Sequence, residues 1–147
     1  MTNDFARPFS GLKPLLFAAL ALLPAAALAQ PTAQCASSGP ASVVRGQAFT
    51  VDIDVTNGGT AAGFAPAVEV FLPSAVTFTS ASAFGQPLTA LANTTTLPFV
   101  NPLTGETVLG PTGSRYLVLR LPLNQIASGA PARRVTLTLN TTTSATL

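Results

Sequence analysis

The sequence has no histidine and no tryptophan, a single cysteine, a single tyrosine, and little charge of either sign, with seven basic and five acidic residues in 147. Without histidine there is no imidazole to serve as general base or metal ligand, and with one cysteine most zinc sites are excluded as well. The shortage of Trp and Tyr removes the aromatic girdles of a membrane-embedded β-barrel and the exposed rings that carbohydrate binding usually leans on. What is present is apolar, since 48% of the residues are hydrophobic, and that content argues against a disordered chain. The length suits about one domain.

The apolar character is concentrated at the start. Arg7 and Lys13 precede an apolar run from Leu15 to Ala27, which closes on Ala27-Leu28-Ala29 before Gln30. A basic start, a short apolar core and small residues at the third and first positions before the cut form a secretory signal peptide, with cleavage expected after Ala29. The rival reading, a retained anchor, meets two objections: the run falls short of the roughly 20 apolar residues a spanning helix needs, and Pro24 interrupts it. Cys35 follows Gln34 beyond the apolar core, which disfavours a lipoprotein leader. The 118 residues from Gln30 onward carry five Arg, four acids and no Lys. A net charge near +1 is too small and scattered to attract nucleic acid or anionic lipid.

Residues 30–40 are small and polar, with two prolines, and are expected as an extended segment leading into a domain over 41–147. Phe49, Val51, Ile53 and Val55 alternate with Thr50, Asp52, Asp54 and Thr56, which predicts a strand with one face in a core and one in water. Asn57-Gly58-Gly59-Thr60 reads as a tight turn that accepts positive φ. Val68, Val70 and Leu72 form a second strand that Pro73 stops, and an extended segment resumes over 76–79. From Ser80 to Ser114 the pattern weakens, and loops with one or two short hairpin strands are expected. Turn chemistry at Asn101–Gly105 and at Gly110–Gly113 leaves a small strand over 106–109. Leu117, Leu119 and Leu121 share one strand face, and Val135, Leu137 and Leu139 mark the last clear core strand after a Ser128–Pro131 connection. No helical periodicity interrupts these, and 19 of the 118 residues are Thr, so the fold class is all-β, with two antiparallel sheets packed face to face.

The stretches Gly46–Val51, Val55–Ala62 and Leu72–Phe78, followed later by Ser128–Pro131 and Val135–Leu139, resemble the Ig-like conserved repeat domain of prokaryotic cell-surface proteins, itself a domain of unknown function. The likeness spans about residues 40 to 140, is weak in the middle, and is carried chiefly by the Asn57 turn paired with the Leu72-Pro73 segment. It implies an Ig-like β-sandwich on the surface of a bacterial cell. The family usually ends with a further strand for which 140–147 supplies little, so the chain is expected to be the N-terminal part of a longer surface protein.

Candidate chemistry is sparse. Asp52 and Asp54 share one strand face, where they could hold calcium or work as an acid and base pair, but no Asp-rich loop accompanies them and a solvated polar face is the expectation. Glu69 and Glu106 read as isolated surface groups, and Arg133-Arg134 as a charged strand start that pairs with acids or solubilises an edge. Tyr116, Phe64, Phe71, Phe84 and Phe99 are expected to pack rather than to stack on sugars. Ser and Thr are plentiful but have no evident activating base. The unpaired Cys35 leaves three readings open: a partner beyond Leu147, an intermolecular bridge, or a free thiol. The sequons at Asn93 and Asn140 matter only in a eukaryotic secretory pathway. The expectation is a non-catalytic structural or adhesive module without cofactor or metal, secreted, at the cell surface or in the periplasm. Its partners would be other surface-protein domains or an extracellular protein or glycan, with no nucleic acid and no membrane span after cleavage. The alternative is a ligand-binding or docking domain resembling a cohesin-like sandwich.

Overall fold

The computed structural model describes residues 28–141 and 145–146. The leader read over residues 1–29 therefore lies outside the described residues but for its last two. No helix among the described residues is long and apolar enough to cross a membrane.

The chain is an antiparallel β-sandwich. Its larger sheet is built from β1 (Ala33–Ser38), β3 (Ala48–Asn57), β6 (Val76–Ala83), β7 (Gln86–Leu88) and β13 (Arg133–Thr141), in the order β1-β3-β13-β6-β7. The smaller sheet has β11 (Arg115–Arg120) in the centre, flanked by β5 (Ala67–Leu72) and β8 (Ala90–Thr94). Three two-stranded ribbons complete it: β2 (Ser42–Val43) with β14 (Ala145–Thr146), β4 (Gly63–Phe64) with β12 (Gln125–Ile126), and β9 (Phe99–Val100) with β10 (Thr107–Val108).

The core lies between the two large sheets, and the period-2 pattern decides who enters it. Ile53 and Val55 of β3 meet Val135, Leu137 and Leu139 of β13 on one side, and Val68, Leu72, Leu117 and Leu119 of β5 and β11 on the other. Burial of each such side chain stabilises by roughly 1.5–3 kcal/mol. The intervening Thr136, Thr138, Asp52 and Asp54 stay partly accessible on the outer face. In the constant-type immunoglobulin order the last strand sits in the smaller sheet beside its predecessor. Here the last long strand, β13, lies between β3 and β6 in the larger sheet.

Three segments carry more structure than their sequence suggests. Residues 33–38 are extended, and the extension is used: β1 pairs with β3 along its whole length, from Ala33 opposite Asn57 to Ser38 opposite Asp52. β6 continues past Thr79 to Ala83, burying Ala81 and Ala83, while β8 buries Ala92. These small side chains alternate with too little apolar contrast to stand out. The third is the excursion after β8. Both faces of β11 are buried, with Leu117 and Leu119 in the main core and Tyr116 and Val118 in a second cluster with Ala92, against which Leu97, Phe99 and Val108 pack. The β9–β10 hairpin thus covers the outer face of the smaller sheet.

Candidate functional site

Three networks of side-chain hydrogen bonds stand out among the described residues. The first is the outer face of the larger sheet, where the β3–β13 register sets Arg134 opposite Asp54 and Thr136 opposite Asp52. Arg134 grips Asp54 with a two-pronged contact, Nε to Oδ1 at 2.8 Å and Nη2 to Oδ2 at 2.8 Å, and its Nη1 lies 3.6 Å from Asp52 Oδ2. Thr136 Oγ1 donates to Asp52 Oδ1 at 2.7 Å. The fork geometry explains why the Asp54 carboxyl is held below its ordinary value and the Arg134 guanidinium above its own. Both acids of the close pair are thus engaged with neighbours on a solvent-facing sheet. Arg133 instead lies over the Phe84 ring, 6.0 Å from its centroid.

The second lies under the hairpin. Tyr116, fully buried, donates its Oη to Glu69 Oε2 at 2.6 Å, and Asn101 Nδ2 donates to Glu69 Oε1 at 2.7 Å and to Tyr116 Oη at 3.0 Å. Glu69 is therefore not the isolated group its sequence context suggests: its carboxylate caps two buried donors. Burial first, and the Glu69 acceptor second, push the Tyr116 phenol well above its usual range, so it stays a protonated donor. Phe71 and Phe99 flank the Tyr116 ring at centroid distances of 5.2 and 6.1 Å. Asn101 also ties the hairpin turn together, accepting from Leu103 N through Oδ1 at 2.8 Å and donating its own N–H to Glu106 O.

The third is Asn57, whose side chain makes four hydrogen bonds at the end of β3. Its Oδ1 accepts from Thr32 N and Gly59 N, both at 3.0 Å, and its Nδ2 donates to Ala61 O and to Ile126 O, the latter at 3.0 Å. It joins the N-terminal segment, its own turn and the end of β12. The turn does not use positive φ at Gly58 or Gly59, unlike Gly105, Gly113 and Gly129, which do. Glycine is needed at 59 for another reason: a Cβ there would run into the backbone of Gln30, Pro31 and Thr32.

Comparison with protein-family models, curated proteins and solved structures finds no match to the chain. What the site can do rests on its own geometry. The acids occupy the outward faces of opposite sheets, Asp52 and Asp54 on one and Glu69 on the other, with the core between them. Glu106 is exposed in the hairpin turn region. Among the described residues no group of three or more His, Cys, Asp and Glu could hold a metal ion. Cys35 is a free, exposed thiol on β1, opposite Val55. Of the sequon residues, Asn93 is exposed and accepts from Arg115 Nη1 at 2.8 Å, and Asn140 is half-buried in β13. Phe64 is 76% exposed, and Phe84, also exposed, sits at a positive φ, so neither is packed as a core ring.

Sequence reasoning singled out Asn57 and Asn101 as turn residues and missed their long-range bonds. A signal for the Tyr116 cluster was present: Tyr116-Leu117-Val118-Leu119 is apolar at consecutive positions, the mark of a strand buried on both faces.

Proposed function

We propose that this chain is a non-catalytic, Ig-like β-sandwich module of an exported protein, with a structural or adhesive role at the bacterial cell surface. The observation that carries the reading is the use to which the ionisable groups are put. Asp52, Asp54, Glu69 and Tyr116 are each bound by neighbours within the fold, and Asp52 and Asp54 lie side by side on one outward face with Glu69 on the opposite one, so none of the three faces another across a cleft. Such groups stiffen a scaffold; they do not make an acid and base pair. The test is made on the full-length protein in its native cells. The exported product is expected to begin at Gln30 and to be removed from intact cells by external protease. A product retained in the cytoplasm with its leader intact would overturn the proposal.

The docking alternative is favoured by one observation. The hairpin is pinned by the Asn101 cluster and yet leaves Val100, Leu103 and Leu109 exposed, Leu109 by 79%. A docking role predicts a partner captured saturably from culture supernatant by the wild-type protein and not by Leu109→Asp. Equal capture by both would dismiss the hairpin as the docking surface.

A further inference from the structure

Between the two sheets, at the end where β3 begins, lies a cavity of about 370 Å³. The inner face of β3 grades into it: Val55 and Ile53 are buried, while Val51 and Phe49 are only partly so. Leu137 and Leu139 of β13 line the same side, and Val70 and Leu72 of β5 line the other. The rim is formed by the end of β1, where Ser37, opposite the inward-facing Ile53, supplies a hydroxyl, and by the link after it, where Gly39 approaches Val51 so closely that an added Cβ would stand 3.1 Å from its Cγ2.

We infer that this cavity is a binding site for a linear alkyl or acyl chain with an uncharged polar head. The volume falls within the range of small-molecule sites, about 300–1,000 Å³, which are mostly apolar with a few polar groups that fix orientation. The slot between facing sheets suits a slender chain better than a fused-ring ligand. No ionisable side chain lines it, and Asp52, Asp54, Glu69 and Arg134 lie on the outward faces. A charged head drawn into the slot would go unpaired, whereas a hydroxyl or ester at the rim has Ser37 to bond with.

The test uses the full-length protein and a linear, uncharged polyene fluorophore, the methyl ester of parinaric acid. Saturable binding is expected, with displacement by linear alcohols that strengthens roughly fourfold per added methylene from hexanol to decanol. Decanol is expected to displace the probe better than decanoate. Val51→Phe, which fills the slot, should weaken probe binding at least tenfold at an unchanged melting temperature, and Leu109→Ala, on the remote hairpin, should leave it unchanged. If Val51→Phe does not fold, Val70→Phe enters the slot from the opposite sheet. The chain-length series on the unaltered protein decides without either variant. Absence of saturable binding, displacement indifferent to chain length, equal binding by the filled variant, or a preference for decanoate would each overturn the assignment.

Discussion

Replacing Asn57 by Ala removes four hydrogen bonds that converge from three separate stretches of chain. The bond to the Ile126 carbonyl is buried, and that acceptor is left without its donor, a loss of about 1–3 kcal/mol. The groups at Thr32, Gly59 and Ala61 are part-buried and can recruit water, so each costs less, about 0.5 kcal/mol. The expected loss is roughly 2.5–4.5 kcal/mol, a large share of the 5–15 kcal/mol that holds a typical domain. For a domain of this size that corresponds to a fall in Tm of about 10–18 °C. The assay is thermal and urea unfolding followed by far-UV circular dichroism, with Asn93→Ala as the reference. Asn93 is exposed and its side chain bonds to the exposed Arg115 guanidinium, so its replacement should stay within about 0.5 kcal/mol. The variant should also expose the 28–38 segment to protease, because Asn57 holds Thr32 directly and the Gly58 and Thr60 amides donate to the carbonyls of Thr32 and Gln30. If Asn57→Ala and Asn93→Ala unfold together, the claim that Asn57 joins the N-terminal segment to the sandwich is wrong.

The neighbouring glycines should behave oppositely: Gly59→Ala destabilises because its Cβ meets backbone, whereas Gly58→Ala is tolerated because its Cβ meets only the movable end of Gln34, and equal melting temperatures would refute the distinction. The phenol of Tyr116, the only tyrosine, is raised from its ordinary 10.0, so its stabilising effect is complete below that pH and is lost as pH rises through the higher folded-state value. Absorbance at 295 nm should therefore change together with the loss of the β signal; ionisation near pH 10 in an intact fold would refute the burial argument. Asp54 is shifted the other way, chiefly by the Arg134 hydrogen bond, so its contribution is present above 3.8 and disappears as pH falls through the lower folded-state value. In Arg134→Ala the Asp54 carboxyl, followed by carbon NMR, should titrate at a higher pH than in the wild type. An unmoved midpoint would show that the fork is not made in solution.

Strands were legible where large side chains alternate with polar ones. Phe49 to Val55 and Val135 to Leu139 declare both their extension and their inward face, and β3 and β13 follow them. β6 and β8 were obscured because Ala81, Ala83, Ala90 and Ala92 differ too little from their Ser, Thr and Asn neighbours to produce a visible period, although three of them are buried. Strand order was out of reach for a different reason. Alternation specifies which face a residue enters, and says nothing about which strand lies alongside. That β13 pairs with β3 on one edge and β6 on the other depends on contacts more than 50 residues apart in the chain. The Arg134 to Asp54 contact depends on that register too, which is why Arg133-Arg134 could be read as pairing with acids and not with which.

Asn57 and Asn101 show why turn chemistry alone understates such residues. In each, Oδ1 accepts the N–H of the residue two further along, Gly59 or Leu103, which is the local bond that makes asparagine and aspartate favoured in turns. An aspartate would make that bond equally well. The difference lies in Nδ2, which in Asn57 reaches Ile126, 69 residues away, and in Asn101 reaches Tyr116 and Glu69. A carboxylate at 57 would face two carbonyls, and one at 101 would face the Glu69 carboxylate, so neither could replace the donor. The amide at each site thus does two jobs with its two ends: the oxygen shapes the turn, and the nitrogen fixes where in the sandwich that turn is held. Both asparagines are almost fully buried, 5% and 2% exposed, which a residue serving only a surface turn would have no reason to be.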